Sequence, residues 1–267
     1  VLNPAHNSME IRVTSVRTNI DAPAISVPDA IRSFNPPAVR VESQELAEGI
    51  WRVAGGSHHS VLIEFNDFVV VVEAPLNEAR SLAVIEEVER LVPNKPIRYI
   101  INTHHHFDHS GGLRPYLAQG ATVVAHQSSQ EFFENVIFHP GLRTLQPDRL
   151  STFYPMFTAS RRPAPIEGVN QKYVLSDGNR TLDLYPLEGL AHAQTMLIIY
   201  LPQEKVVINA DMYNPAAPGT EFPDFRLPNM RTLAQNIERL KLDVERHVGI
   251  HGQTSSHEEF LRAISGT

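Results

Sequence analysis

Apolar and polar positions change period several times along the chain, and each change marks an element. "MEIRVTSVRT" at 9–18 alternates apolar with polar residues and reads as a strand. A stretch rich in Pro and Ala, about 21–38, reads as a linker or a draped segment. From "RVESQELAEGIWRVAGG" onward the texture is that of a compact domain. The expected division is therefore an N-terminal strand and linker over 1–40 and one domain over 41–267. "SVLIEF" (60–65) and "FVVVVEAP" (68–75) flank Asn66-Asp67, a hairpin signal. Leu82, Ile85, Val88 and Leu91 then recur at helical spacing within 77–92. "IRYIIN" (97–102) is a buried strand.

The second half repeats the theme. "GLRPYLAQG" reads as a short helix closed by Gly120, "ATVVAH" as a strand and "SSQEFFENVIF" as a helix. Residues 139–170 hold several prolines and no clear period, which predicts a long irregular insertion of the kind that often forms a lid. "RTLDLYPLEG", "TMLIIYLPQ" and "KVVINAD" are strands. A helix carrying Leu233, Ile237 and Leu240, the strand-like "RHVGIHG" and a helix at about 256–264 complete the chain. Strands in two batches, each followed by helices, predict an α/β fold with two sheets between helical layers.

Composition narrows the function. At 267 residues a substantial core can be buried. The net charge of −7, with no Lys/Arg cluster, gives a nucleic-acid role no electrostatic support. No apolar run approaches the roughly 20 residues of a membrane helix, so no membrane span is expected. Cysteine is absent, which removes thiolate ligands but leaves the compartment open between cytoplasmic and exported with a leader removed.

The chemistry concentrates in "NTHHHFDHSGG", directly after a hydrophobic strand. His104, His106, Asp108 and His109 form H-x-H-x-D-H, with His105 and Phe107 between them. Neutral imidazoles and a carboxylate suit zinc, and also iron or manganese. In a tight turn after a strand, successive side chains can serve two metals. His192, Asp211 and His251 each stand at the end of a strand-like segment and complete two ligand sets.

These residues resemble the signature of the metallo-β-lactamase superfamily, and the resemblance covers about residues 45–267. It implies an αββα sandwich with two mixed sheets packed between helical layers. It implies His104, His106 and His192 on one metal, Asp108, His109 and His251 on the other, and Asp211 bridging. The retained Asp211 looks more like the glyoxalase II and lactonase branches than the β-lactamases, which have Cys there or no bridging side chain. "GGSHHSVLIEF" through "NTHHHFDHSGG" also resembles environmental bacterial hydrolases, some preceded by an extra domain of which residues 1–40 would be the tail. One departure is Ala193-Gln194-Thr195 after His192, where the family usually has small residues and an Asp or Gly.

Other candidates surround this set. Glu73 stands where the family commonly has Asp, and either orients a ligand histidine or is an ordinary strand-end carboxylate. His58 and His59 line a pocket mouth, with His59 a substrate contact, or form a hairpin edge. Tyr213 either donates to a substrate oxygen or packs as an aromatic. The expected protein is a hydrolase with two Zn2+ ions whose bridging hydroxide attacks the carbonyl of a small ester, lactone, thioester or amide. Asp108 would handle the proton. The alternatives are a β-lactamase, for which the gripping Lys after Asp211 is missing, and an iron-dependent dioxygenase of the persulfide type.

Overall fold

The computed structural model describes residues 11–21, 26–35, 37–138, 147–153, 165–217 and 222–265. The chain divides into two units, Val1–Ala38 and Val39–Thr267. In the first, residues 11–18 carry no regular structure, which corrects the expected strand. Alternation alone does not make a strand without a pairing partner. A single turn, α1 (Asp29–Arg32), follows.

Among the described residues of the second unit, the strands form two sheets of seven and six. The first runs β1 (Glu42–Ala47), β2 (Ile50–Gly55), β3 (His58–Glu64), β4 (Val69–Val72), β5 (Ile97–Ile101), β6 (Thr122–His126) and β7 (Ile166–Val169), in spatial order. Pairing is antiparallel from β1 to β4 and parallel from β4 to β7. The second sheet contains β8 (Tyr173–Ser176), β9 (Thr181–Pro186), β10 (Leu197–Leu201), β11 (Val206–Asn209), β12 (Arg246–Gly249) and β13 (Thr254–Ser256). Only β11 and β12 pair in parallel there.

Strand periodicity sorts the apolar residues into three layers. Val70 and Val72 of β4 point between the sheets and meet Leu184, Ile199 and Ile208. Val69 and Val71 point outward, where Val84, Ile85 and Val88 of α2 (Glu78–Leu91) cover them. Asn77 caps α2 by accepting from the Arg80 backbone N–H at 3.1 Å, a contact that contributes about 1 kcal/mol. On the far side, Ile198 and Val207 pack under Met230, Leu233 and Ile237 of the helix Leu227–Arg239 and Phe260 of the helix His257–Ser265. The architecture is helix, sheet, sheet, helix, as the sequence predicts.

The 139–170 stretch needs a second correction. Residues 166–169 are β7, paired in parallel with β6, and Arg149–Phe153 is helical. Residues 139–146 and 154–164, which carry most of the expected lid, lie outside the described residues.

Candidate metal centre

Parallel strands place their C-terminal ends on one edge, and that edge collects the polar residues. Glu73 follows β4 and the histidine turn follows β5. Asp211 follows β11 and His251 follows β12. His192 lies in the connection between β9 and β10. The sheets are tied together here: Leu197 N–H donates to Thr103 O and His59 N–H to Ile250 O, both at 2.8 Å.

The turn itself is closely packed. Phe107–Ser110 forms one helical turn, and the Ser110 hydroxyl donates to the His106 carbonyl at 2.9 Å. A Cβ added at Gly111 would sit 2.3 Å from Leu76 O, and one at Gly112 would sit 2.2 Å from the Ser81 hydroxyl. Side-chain-free backbone is therefore required at Gly111 and Gly112, just past Ser110.

Asp211 is the hub. The Nε2 atoms of His109 and His192 lie 3.0 Å from its Oδ2, and that of His104 lies 3.2 Å away. His251 Nε2 lies 3.0 Å from Oδ1. Donor atoms fall into groups spanning at most 4.8 Å: His104, His106, His192 and Asp211 in one, His58, Asp108, His109 and His251 in another. All seven residues of the sequence motif are thus brought together, and His58 joins them. Imidazole and carboxylate donors at this density fit a pair of borderline or hard divalent ions. Asp211 (φ 60°) and Glu73 (φ 73°) both adopt left-handed backbone, a costly conformation for non-glycine residues that clusters at functional sites.

Electrostatics follow from burial and crowding. Burial opposes ionisation of Asp211, but the four surrounding imidazoles hold its carboxyl far below the usual range. Burial lowers the pKa of the His104 and His58 rings, and with neighbouring imidazoles brings His106 down to about 4, which favours the uncharged rings. His109 goes the other way. Burial disfavours its charged form, yet Asp211 and Glu73 raise it to about 10, so a metal at its Nε2 must displace a proton. Asp108 also stays ionised: burial works against it, but His109 and the bond from His58 lower its pKa. Its side chain is 48% exposed, with Oδ2 3.2 Å from His58 Nε2.

Glu73 is wholly buried, and its Oε1 accepts from the Thr103 backbone N–H at 2.8 Å. Its Oε2 accepts from the Thr103 hydroxyl at 2.6 Å and lies 2.8 Å from His109 Nδ1. Thr195, in the segment that departs from the family pattern, lies 3.1 Å from His105 Nδ1 through its hydroxyl. Two expected substrate contacts lie elsewhere. The Tyr213 ring packs against Phe222, His247 and Phe260 in the outer core. His59, next along β3, projects to the opposite face from His58, beside Arg52 and Gly252, and belongs to neither cluster.

The metallo-beta-lactamase superfamily model matches residues 53–248, which include all but the last residue of the motif. The chain belongs to this superfamily. The alpha subunit of a 2,4-dinitroanisole O-demethylase from Nocardioides sp. (strain JS1661) is 24% identical over 79% of this chain and 57% of its own. The beta subunit is 25% identical over 84% of this chain and 60% of its own. The chain therefore spans less than two thirds of these relatives' length. A metallo-beta-lactamase from Pontibacter korlensis superposes with a TM-score of 0.63 at 13% identity, covering 85% of this chain and 98% of that one. FIM-1 from Pseudomonas aeruginosa, in its mono-zinc form, gives 0.57 at 16% identity, covering 86% and 96%. These two likenesses establish the superfamily fold. No helix among the described residues is long and apolar enough to cross a membrane.

Proposed function

We propose that this superfamily member is a binuclear zinc hydrolase that cleaves a small ester, lactone, thioester or amide. The convergence of imidazoles from both sheets on Asp211 carries this reading. His104, His106 and His192 would hold one ion, Asp108, His109 and His251 the other, and Asp211 would touch both. When bound, such ions acidify water toward neutrality and polarise a carbonyl. In this reading Asp108, ionised and half-exposed, would accept a proton from the attacking water and pass it to the leaving group. Glu73 fixes the His109 ring so that Nε2 faces the site.

A cavity of about 220 Å³ opens beside Asp211, lined by Met212, Phe222, Phe225, Met230 and Arg226 among others. It favours a substrate with an apolar or aromatic portion. The demethylase relatives add a second reading, in which the scissile group is an activated aryl methyl ether.

Metal analysis and a substrate screen of the zinc-loaded protein test both. Close to two zinc ions per chain with turnover of aryl esters, lactones or thioesters supports the first reading. Methanol release from nitroanisoles without ester turnover supports the second. One zinc ion per chain, or iron with oxygen uptake, overturns the binuclear zinc hydrolase.

A further inference from the structure

His58 stands 46 positions before His104 in the chain, outside the motif, yet its ring enters the second cluster. Its Nε2 lies 3.2 Å from Asp108 Oδ2, and its ring centroid is 4.1 Å from that of His251 and 5.3 Å from that of His109. Donors around one zinc at about 2.0–2.1 Å stand roughly 3.3 Å apart in a tetrahedral set. The His58–Asp108 spacing matches that separation, as does the 3.2 Å between the Nε2 atoms of His109 and His251.

The second ring nitrogen tells the same story. Metal-binding histidines usually have their other nitrogen held by a neighbouring group, which fixes tautomer and orientation. In this site Thr103 lies 3.1 Å from His104 Nδ1, Glu73 lies 2.8 Å from His109 Nδ1, and the Ser57 carbonyl lies 3.0 Å from His251 Nδ1. His58 has the same arrangement, with the Ser57 hydroxyl 2.8 Å from its Nδ1. Ser57 therefore serves two rings of one cluster, through its hydroxyl and its carbonyl.

The backbone under His58 is also built. The Arg80 guanidinium, on a residue 2% exposed, donates to the carbonyls of His58 at 3.2 Å and Val53 at 3.1 Å. A Cβ at Gly55 would fall 2.4 Å from that guanidinium, so glycine makes room for the clamp. His58 is fastened to the sheet rather than carried on a free loop.

We propose that His58 is a further metal ligand, completing the second site with Asp108, His109 and His251. This rests on the metal-centre reading given above. With Asp211 shared, the second ion would then have one protein ligand more than the first, which leaves the first ion the less crowded side for substrate.

Wild type, His58→Ala, His58→Gln, Ser57→Ala and His192→Ala are loaded with zinc or cobalt(II) and compared by metal content, chelator competition, cobalt absorption and thermal melting. His58→Ala and His58→Gln should each weaken one of the two ions about 10-fold or more and change its cobalt bands, with the other ion unaffected. His192→Ala should weaken the other ion. Ser57→Ala should weaken the same ion as the His58 variants, by about 10-fold. A glutamine amide can still donate to Asp108 but cannot replace an imidazole ligand. If His58→Gln retains wild-type affinities and cobalt bands, His58 is only a hydrogen-bond donor to Asp108 and the inference is overturned. This variant decides the matter even if His58→Ala fails to fold. Wild type binding two ions with unchanged His58 variants overturns the inference alone, whereas wild type binding no metal overturns the metal-centre reading with it.

Discussion

Glu73 Oε2 lies 2.8 Å from His109 Nδ1, and both side chains are completely buried. A carboxylate in that position fixes the ring and raises its basicity as a ligand. Glu73→Gln keeps the shape and removes the charge. It should lower the affinity of one metal ion about 10- to 100-fold, read by chelator competition. Unchanged affinity would mean that Glu73 only supports the backbone of Thr103.

Asp108 belongs to the second donor cluster, and its side chain is 48% exposed. Asp108→Asn, once reloaded with zinc to the wild-type level, should remain about 10²- to 10⁴-fold slower than wild type in single-turnover hydrolysis. Full recovery of rate on reloading would remove the proton-transfer role.

Arg114 and Asp148 form a buried ion pair in which the carboxylate meets both Nε and Nη2 of the guanidinium. Asp148→Ala leaves that guanidinium without its carboxylate and should cost about 3–5 kcal/mol in urea unfolding at neutral pH. Burial works against ionisation of Asp148, but Arg114 and Ser151 bring its pKa from 3.8 down to about 2. The folded value lies below the unfolded one. The pair's contribution is therefore complete above pH 3.8 and is lost as pH falls from there through about 2. The gap between wild type and Asp148→Ala should shrink over that window; a constant gap refutes the assignment.

His247 is buried against Phe260 with its Nε2 2.9 Å from His257 Nδ1. Burial, then His257, lowers its pKa from 6.5 to about 3. Between those values the unfolded chain binds more protons than the folded one, so stability falls with falling pH. The slope is about 1.4 kcal/mol per pH unit. His247→Phe should flatten the stability curve between pH 6 and pH 4 by roughly that slope. Parallel curves for the two proteins would show that His247 does not titrate on unfolding.

The main frame of the fold is readable wherever burial is two-sided or strictly periodic. Val69–Val72 reads as a strand because both of its faces are buried, and Leu82, Ile85 and Val88 read as a helix because one face is. β7 escapes the pattern because Pro163 and Pro165 precede it and Gly168 interrupts it, leaving Ile166 and Val169 without a visible period. The close spacing of His104, His106, Asp108 and His109 makes the turn conspicuous, and strand ends locate Asp211 and His251, whereas His192 lies six residues past the end of β9, within the β9–β10 connection. His58 carries no such signal. Its neighbour His59 has the same chemistry, and only strand alternation in three dimensions separates the residue that reaches Asp108 from the one beside Arg52.

The first sheet supplies His104, His106, Asp108 and His109 from beyond β5, and the second supplies His192, Asp211 and His251. Ions held among them, as proposed, would act as a clasp across the seam between two half-molecules. Their binding energy then counts toward keeping the halves closed, since a ligand that prefers the folded form stabilises it by mass action. Stripping the ions should loosen the seam first at its open rim, where Thr103 meets Leu197 and His59 meets Ile250, while the apolar filling further along the strands holds. In such a molecule, occupancy of the site and mechanical integrity would be gained and lost together.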